Sequence, residues 1–89
     1  MARTLLLGAE IACPTTTGTA TSFSEATVVR LVNTTSDAHL VTIVEVPSGA
    51  GVGSMTLPPN TVELLEKKPA HCIFAANAGV KGAKVGFTG

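Results

Sequence analysis

The clearest pattern of apolar and polar positions covers residues 26–46, where two runs rich in Val, Ile, Leu and Thr flank a short polar segment. β-Branched residues favour an extended backbone, and Asn, Ser and Asp favour turns because they hydrogen-bond locally. The pattern therefore predicts a β-hairpin with strands at 26–33 and 39–46. Alternation along the first strand places Val29, Leu31 and Asn33 on one face.

The second of these predicted strands is apolar on both faces. Val41 and Ile43 share one face, and Leu40, Val44 and Val46 share the other. An antiparallel strand with one face in water normally alternates apolar and polar residues, so this strand is expected to be covered on both sides. In a chain of 89 residues, part of that cover can come from another subunit.

Short strand-like segments separated by turn residues continue along the rest of the chain. Further strands are expected at 52–57, 61–68, 72–76 and 80–87. The segment 61–68 contains good helix formers, but it is too short for a stable helix between the prolines on either side. We therefore expect an all-β fold, a single small antiparallel β-sandwich or barrel, with no helix longer than about two turns.

Nine apolar residues are expected to form the core of this fold. They are Val29, Leu31, Val41, Ile43, Leu57, Val62, Leu64, Ile73 and Phe74. In the segment 61–68 this assignment turns Val62 and Leu64 inward and Glu63 towards solvent.

The chain divides into an extended N-terminal arm or edge segment, residues 1–25, and a β-domain, residues 26–89. Residues 4–7, a threonine followed by three leucines, either form a strand or lie on a neighbouring subunit. Apolar side chains exposed at a terminus or on a second strand face mark interfaces. The predicted interface residues are Leu5, Leu6, Leu7, Leu40, Val44 and Val46. Deleting residues 1–9 is expected to weaken association and leave the β-core intact.

Composition narrows the classes of function. The formal net charge is zero, so the chain lacks the excess of basic residues that favours binding to nucleic acid. No apolar run approaches the roughly 18 residues of a membrane span, and Glu10 interrupts the only signal-like segment. Only 13% of the residues are charged while 45% are apolar, a balance that suits a protein burying surface in an assembly.

Candidate chemistry is sparse. Cys13 and Cys72 are expected to be buried free thiols, with a single bridge as the alternative. His71 and Cys72 are adjacent, so their side chains point to opposite faces of a strand and do not suit a metal site. A nucleophilic Cys72 with His39 as base lacks an orienting acid at any suggestive spacing. We expect no catalytic, metal or cofactor site, and we therefore expect a protein that is not an enzyme.

Two further groups of residues have plain structural interpretations. The glycine-rich residues 49–53 are not followed by a helix that could bind phosphate, so they are interpreted as a hairpin turn. The lysines near the C-terminus are expected to form a solubilising surface; they are Lys67, Lys68, Lys81 and Lys84.

The order of these features resembles the small all-β virion proteins of tailed bacteriophages, most of all the capsid decoration (cement) proteins. The resemblance rests on layout and turn placement over residues 26–89. It is carried by residues 29–34, 39–43, 53–58, 62–69 and 84–89. It implies a non-enzymatic structural protein that binds the capsid exterior and stabilises adjacent capsomers, commonly as a trimer. Its partners would be further copies of itself and the major capsid protein, and it would be located on the virion after assembly in the host cytoplasm.

Two other functions remain open from the sequence. One is a tail, knob or fibre-base subunit of a virion. The other is a small ligand- or carbohydrate-binding β-module, although the chain lacks the Trp and Tyr on which sugars usually stack. A major capsid or portal gene beside this one would identify the class.

Overall fold

The computed structural model describes residues 3–88 and confirms the all-β fold, with two antiparallel sheets packed face to face. The strands are β1 (Arg3–Leu6), β2 (Ile11–Ala12), β3 (Val28–Asn33), β4 (His39–Val44), β5 (Gly51–Leu57), β6 (Val62–Glu66), β7 (Cys72–Ala75) and β8 (Val80–Thr88). The only helical segment in this part of the chain is a 3-10 turn, Thr17–Thr19. Segment 61–68 thus forms a strand, as predicted, and no helix among the described residues could cross a membrane.

The larger sheet has the order β1-β8-β3-β6, with β2 also paired to β8, and the smaller sheet has the order β5-β4-β7. The two sheets form a sandwich and do not close into a barrel in the described range. Apolar side chains from both inner faces make one core, in which Leu31 of the larger sheet and Ile73 of the smaller sheet are fully buried. Thr4, Leu5 and Leu6 belong to an edge strand paired with β8.

The predicted hairpin at 26–46 is wrong, although both of its strands exist. β3 pairs with β6 and β8, whereas β4 pairs with β5 and β7, so the connection between them crosses from one sheet to the other. Asn33 explains this crossing. Its buried amide nitrogen donates to the carbonyl oxygens of Asp37 (2.8 Å) and Leu57 (3.0 Å), and its oxygen accepts from the backbone and hydroxyl of Thr35. The amide thus holds the connection against the end of β5.

The predicted core is correct in its centre and wrong at β6. Val29, Leu31, Val41, Leu57 and Ile73 are buried, and Ile43 and Phe74 are partly buried against the core clusters. Val62 and Leu64, however, are each 47% exposed.

The cause of this error is the register of β6 on β3. Val29 lies opposite Leu65 and Leu31 lies opposite Glu63. Directly opposed residues point to the same face, so Leu65 is the residue that packs against the core. Glu63 shares that face but remains exposed because β6 is an edge strand. A shift of one residue exchanges the two faces of a strand.

The second face of β4 is covered partly by the chain itself. Val44 is 4% exposed and packs in a small cluster with Ala20 and Cys72. Ala20 belongs to the segment 13–26, which closes one side of the sandwich. In that segment Cys13 and Phe23 enter the main core, and Thr21 forms a bridge to Ile73 of β7.

Segment 13–26 also contains an unusual turn. Phe23, Ser24 and Glu25 are all left-handed, with φ between 53° and 58°, and the amide of Ala26 donates to the carbonyl of Ser22 (3.1 Å). A left-handed conformation costs a non-glycine residue about 1–2 kcal/mol, so the turn needs tertiary support. The ring of Phe23 supplies this support. The ring packs over Gly82, in the space that a larger side chain at position 82 would occupy.

Candidate functional site: the outer face of the larger sheet

The side of the larger sheet that points away from the core is mainly apolar. The residues of β3 on this side are Val28, Arg30 and Val32, because Val29, Leu31 and Asn33 point inward. The strand register then places their opposed neighbours on the same side. These are Val62, Leu64 and Glu66 of β6, Lys81, Ala83, Val85 and Phe87 of β8, and Thr4 and Leu6 of β1. We call this set of side chains the outer face.

Four large apolar residues of the outer face are substantially exposed. Leu6 is 72% exposed, and Val62, Leu64 and Phe87 are each 47% exposed. Val85 lies between Val28 and Leu6 on the outer face and is buried, so the apolar side chains of β1, β8 and β3 are in continuous contact there. The outer face is therefore a mainly apolar surface spread over strands β1, β8, β3 and β6.

The charges of the outer face are few and partly paired. Arg30 lies on its central strand, and its Nη1 atom is 3.6 Å from Oε2 of Glu10. An exposed pair at this distance contributes at most about 1 kcal/mol to stability. Lys81 and Glu66 lie opposite Val32 and Val28, at the two ends of β3. The middle of the surface thus carries one neutralised charge pair among apolar side chains.

The residues predicted as an interface do not lie together. Leu6 belongs to the outer face, whereas Leu5 lies opposite Gly86 and points to the other side of the sheet. Leu40 and Val46 are exposed on the smaller sheet and its β4–β5 turn. Val44 is covered by its own chain, so a partner could reach its side chain only after a rearrangement.

Five apolar residues of the outer face were not predicted to be surface residues: Val28, Val32, Val62, Leu64 and Phe87. The alternation of apolar Val28 and Val32 with Arg30 is a signal for a second apolar face on β3. Strand β6 gives no such signal in the sequence. Segment 62–66 has leucine on both faces, and only the pairing of β6 with β3 shows which leucine points outward.

The two cysteines are buried free thiols that serve the core. Burial raises the pKa of the Cys13 thiol to about 11, which keeps it protonated and unreactive near neutral pH. The Sγ atom of Cys72 is 3.5 Å from the carbonyl oxygen of Ala70. Among residues 3–88 no three His, Cys, Asp or Glu side chains are grouped so that they could hold a metal ion.

Lys67 does not belong to a solubilising surface, contrary to the sequence interpretation. It is 7% exposed, and its Nζ donates to the carbonyl oxygens of Ala26 (2.7 Å), Pro69 (3.2 Å) and Lys68 (3.3 Å). Desolvation by burial lowers the pKa of this amine below its usual 10.5. A lowered pKa can mark a catalytic lysine. Here the three donors of the ammonium are used to join the end of the left-handed turn to the β6–β7 connection, which is a structural role.

A comparison of the chain with models of protein families, with curated proteins and with solved structures finds no significant match.

Proposed function

We propose that this protein is a non-enzymatic structural protein of a phage virion that binds the capsid exterior through its outer face and stabilises adjacent capsomers. The observation that carries the proposal is the outer face itself, with Leu6, Val62, Leu64 and Phe87 exposed on one sheet surface. A contiguous apolar patch of more than a few hundred Å² is rarely left bare on a soluble monomer and marks an interaction surface. The capsid as partner comes from the resemblance to decoration proteins.

The size of the outer face favours attachment by several copies acting together. Full burial of a Val, Leu or Phe side chain contributes about 1.5–3 kcal/mol, so four side chains that start about half exposed contribute roughly 3–6 kcal/mol. Association of a single copy costs about 4–15 kcal/mol in lost freedom of motion. One copy would therefore bind weakly, whereas a homo-oligomer that contacts neighbouring capsomers gains affinity by linking its contacts. The resemblance implies a trimer.

The neutral composition is consistent with this role. The chain has a formal net charge of zero, so copies placed side by side on a shell do not repel one another at long range. Lys81 and Glu66 lie at the two ends of β3, so the charge to be desolvated in the middle of the outer face is that of the Arg30–Glu10 pair. Charged groups lose more on desolvation than they regain unless they are well paired.

The test is binding to capsid shells assembled from the major capsid protein encoded beside this gene. The purified protein should co-sediment with these shells, and Leu64→Lys should weaken binding at least tenfold because it places a charge in the contact. Leu40→Lys is the matched control, since Leu40 is equally exposed on the smaller sheet. It should bind like the wild-type protein.

Four outcomes would count against the proposal, each against a different part of it. Loss of binding in Leu40→Lys with binding kept in Leu64→Lys would move the contact to the smaller sheet. Binding to isolated tails instead of shells would favour the tail-subunit function. A wild-type protein that stays in the supernatant at every concentration, or a gene without virion genes beside it, would overturn the virion role.

A further inference from the structure

Residues 15–20 pass over the side of the smaller sheet that faces away from the main core. The residues at either end of this segment are fixed to β7 by backbone hydrogen bonds. The amide of Ala75 donates to the carbonyl of Pro14 (2.9 Å), and Thr21 exchanges two bonds with Ile73 (2.8 and 3.0 Å). Residues 15–20 therefore form a short loop with both ends anchored, and we call them the lid.

The lid is attached to the rest of the protein by few contacts. Residues 15–19 are exposed, and Ala20 is the only buried side chain of the six. Within residues 3–88 the only hydrogen bond from the lid to another segment joins the carbonyl of Thr17 to the amide of Ser48 in the β4–β5 turn (2.9 Å). The other hydrogen bonds of the lid are internal and form its 3-10 turn. The lid can therefore leave the sheet without losing its own local structure.

Beneath the lid lies an apolar cluster that is separate from the main core. Val44 and Cys72 are opposed residues of β4 and β7, and both are buried in a cluster with Ala20. Phe74 packs against this cluster on the same side of the sheet. Cys13, by contrast, belongs to the main core. The two buried thiols thus lie in different clusters, and only that of Cys72 lies beneath the lid.

The contacts that hold the lid are weak compared with those of the whole fold. One backbone hydrogen bond and one buried methyl group together favour the closed lid by a factor of roughly ten to fifty. Folded small domains outnumber their unfolded forms by about 10³–10⁸. Segments with few buried apolar contacts open without the rest of the structure. The lid should therefore be open in roughly 2–10% of molecules, far more often than the core is unfolded.

We propose that the lid opens between its two anchored ends while both sheets stay folded. Opening removes Ala20 from the smaller sheet. The side chains that it uncovers are Val44, Cys72 and Phe74. They lie on the same side of the sheet as Leu40, which is already exposed. The lid is thus a device that hides or presents apolar side chains of the smaller sheet, and this inference does not depend on the capsid role.

The two cysteines report opening of the lid and unfolding of the core separately. Wild-type protein is treated with iodoacetamide in the absence of denaturant, and mass spectrometry of its peptides gives the initial labelling rate of each cysteine. An open lid exposes Cys72 alone, so Cys72 should be labelled at least tenfold faster than Cys13. Unfolding of the whole chain exposes both thiols together. Equal rates, or no labelling of Cys72, would therefore overturn the proposal.

Two substitutions identify the contact that controls labelling of Cys72. Ala20→Gly removes the methyl group that holds the lid, and it should speed labelling of Cys72 about fourfold without changing the rate at Cys13. Val29→Ala is the matched control, because it removes apolar volume from the main core and weakens the whole fold. It should leave the Cys72 rate within twofold of the wild type. A rate that rises as much in Val29→Ala as in Ala20→Gly, or in neither variant, would refute a lid held by Ala20.

Hydrogen exchange of backbone amides tests the two anchored ends. The amide of Ser48, whose acceptor is in the lid, should exchange at least tenfold faster than the amides of Ile73 and Ala75 after correction for local sequence. The acceptors of these two amides are Thr21 and Pro14, which stay in place when the lid opens. Equal exchange of the three amides would show that the anchored ends leave the sheet with the lid, and the proposal would be wrong.

Discussion

Replacing Asn33 with aspartate keeps the shape of a fully buried side chain and removes its two hydrogen-bond donors. In the native protein the Nδ2 atom donates to the carbonyl oxygens of Asp37 and Leu57, at 2.8 and 3.0 Å. After the change, the Leu57 carbonyl loses this donor while the Asp37 carbonyl keeps the hydroxyl of Thr35 (2.9 Å), and both face a carboxylate oxygen instead of an amide nitrogen. The substitution therefore tests whether this network, and not the volume of the side chain, holds the crossing between the sheets.

The expected loss of stability follows from the number of groups left without partners. An unsatisfied buried polar group such as the Leu57 carbonyl costs about 1–3 kcal/mol, and the carboxylate buried against both carbonyl oxygens adds several kcal/mol more. At about 0.05–0.15 kcal/mol per residue, a protein of 89 residues has roughly 4–13 kcal/mol in all. Asn33→Asp should thus remove about half of the stability or unfold the protein.

Urea denaturation followed by circular dichroism measures this loss as a change in the free energy of unfolding. Thr35→Val is the control: it removes the hydroxyl that lies 2.8 Å from Oδ1 of Asn33 and 2.9 Å from the carbonyl oxygen of Asp37 but leaves both amide donors in place, and it should cost about 1–2 kcal/mol. An Asn33→Asp protein within about 1 kcal/mol of the wild type would show that the amide hydrogen bonds do not hold the crossing.

Three further predictions concern the core. Burial raises the pKa of Cys13 from 9.0 to about 11, so the contribution of the protonated thiol to the free energy of unfolding is complete below pH 9. This contribution is lost as the pH rises from 9 towards 11, at up to about 1.4 kcal/mol per pH unit. Urea denaturation should therefore show the wild type losing stability over this range relative to Cys13→Ala, and parallel pH curves would contradict the prediction. Gly82→Ala should lower the free energy of unfolding by about 1–3 kcal/mol, because the added Cβ would lie 2.7 Å from Cζ of Phe23. Gly51→Ala is the control and should be neutral or slightly stabilising, because a Cβ there would meet no atom within 4 Å. Equal melting temperatures for the two variants would refute the close contact. Ile43→Ala should cost about 2 kcal/mol, the low end of the usual range, because the side chain is only partly buried; an unchanged thermal midpoint would place Ile43 outside the core.

Strand positions could be predicted from this sequence because they depend on neighbouring residues. β-Branched runs and turn residues mark β3, β4, β5, β7 and β8 within a few residues of their true ends. Strand pairing could not be predicted in the same way. A polar five-residue segment between two apolar runs fits a hairpin turn, and only the buried partners of Asn33, one of them 24 residues away, show that it is a crossing between sheets.

The candidate site was partly predictable for the same reason. Leu6 is recognisable as an exposed apolar residue from its position near the end of the chain. Val62 and Leu64 require the register of β6 on β3, because leucines at 64 and 65 make both faces of that strand apolar. Lys67 shows the opposite error: a lysine in a charged segment is normally solvated, and here it is buried by a hydrogen bond to Ala26, 41 residues earlier.

The position of β8 has a consequence for how this protein is made in the cell. Residues 80–88 form the last strand of the described chain, and yet β8 lies inside the larger sheet, between β3 and the N-terminal strands. Arg3 therefore finds its partner, Thr88, only after the 85 residues that follow it have left the ribosome. Until then β1, β2 and one edge of β3 are unpaired, and contacts between residues so distant in sequence form slowly. The larger sheet can therefore be completed only after β8 is available, so its central pairings form as one late event in folding.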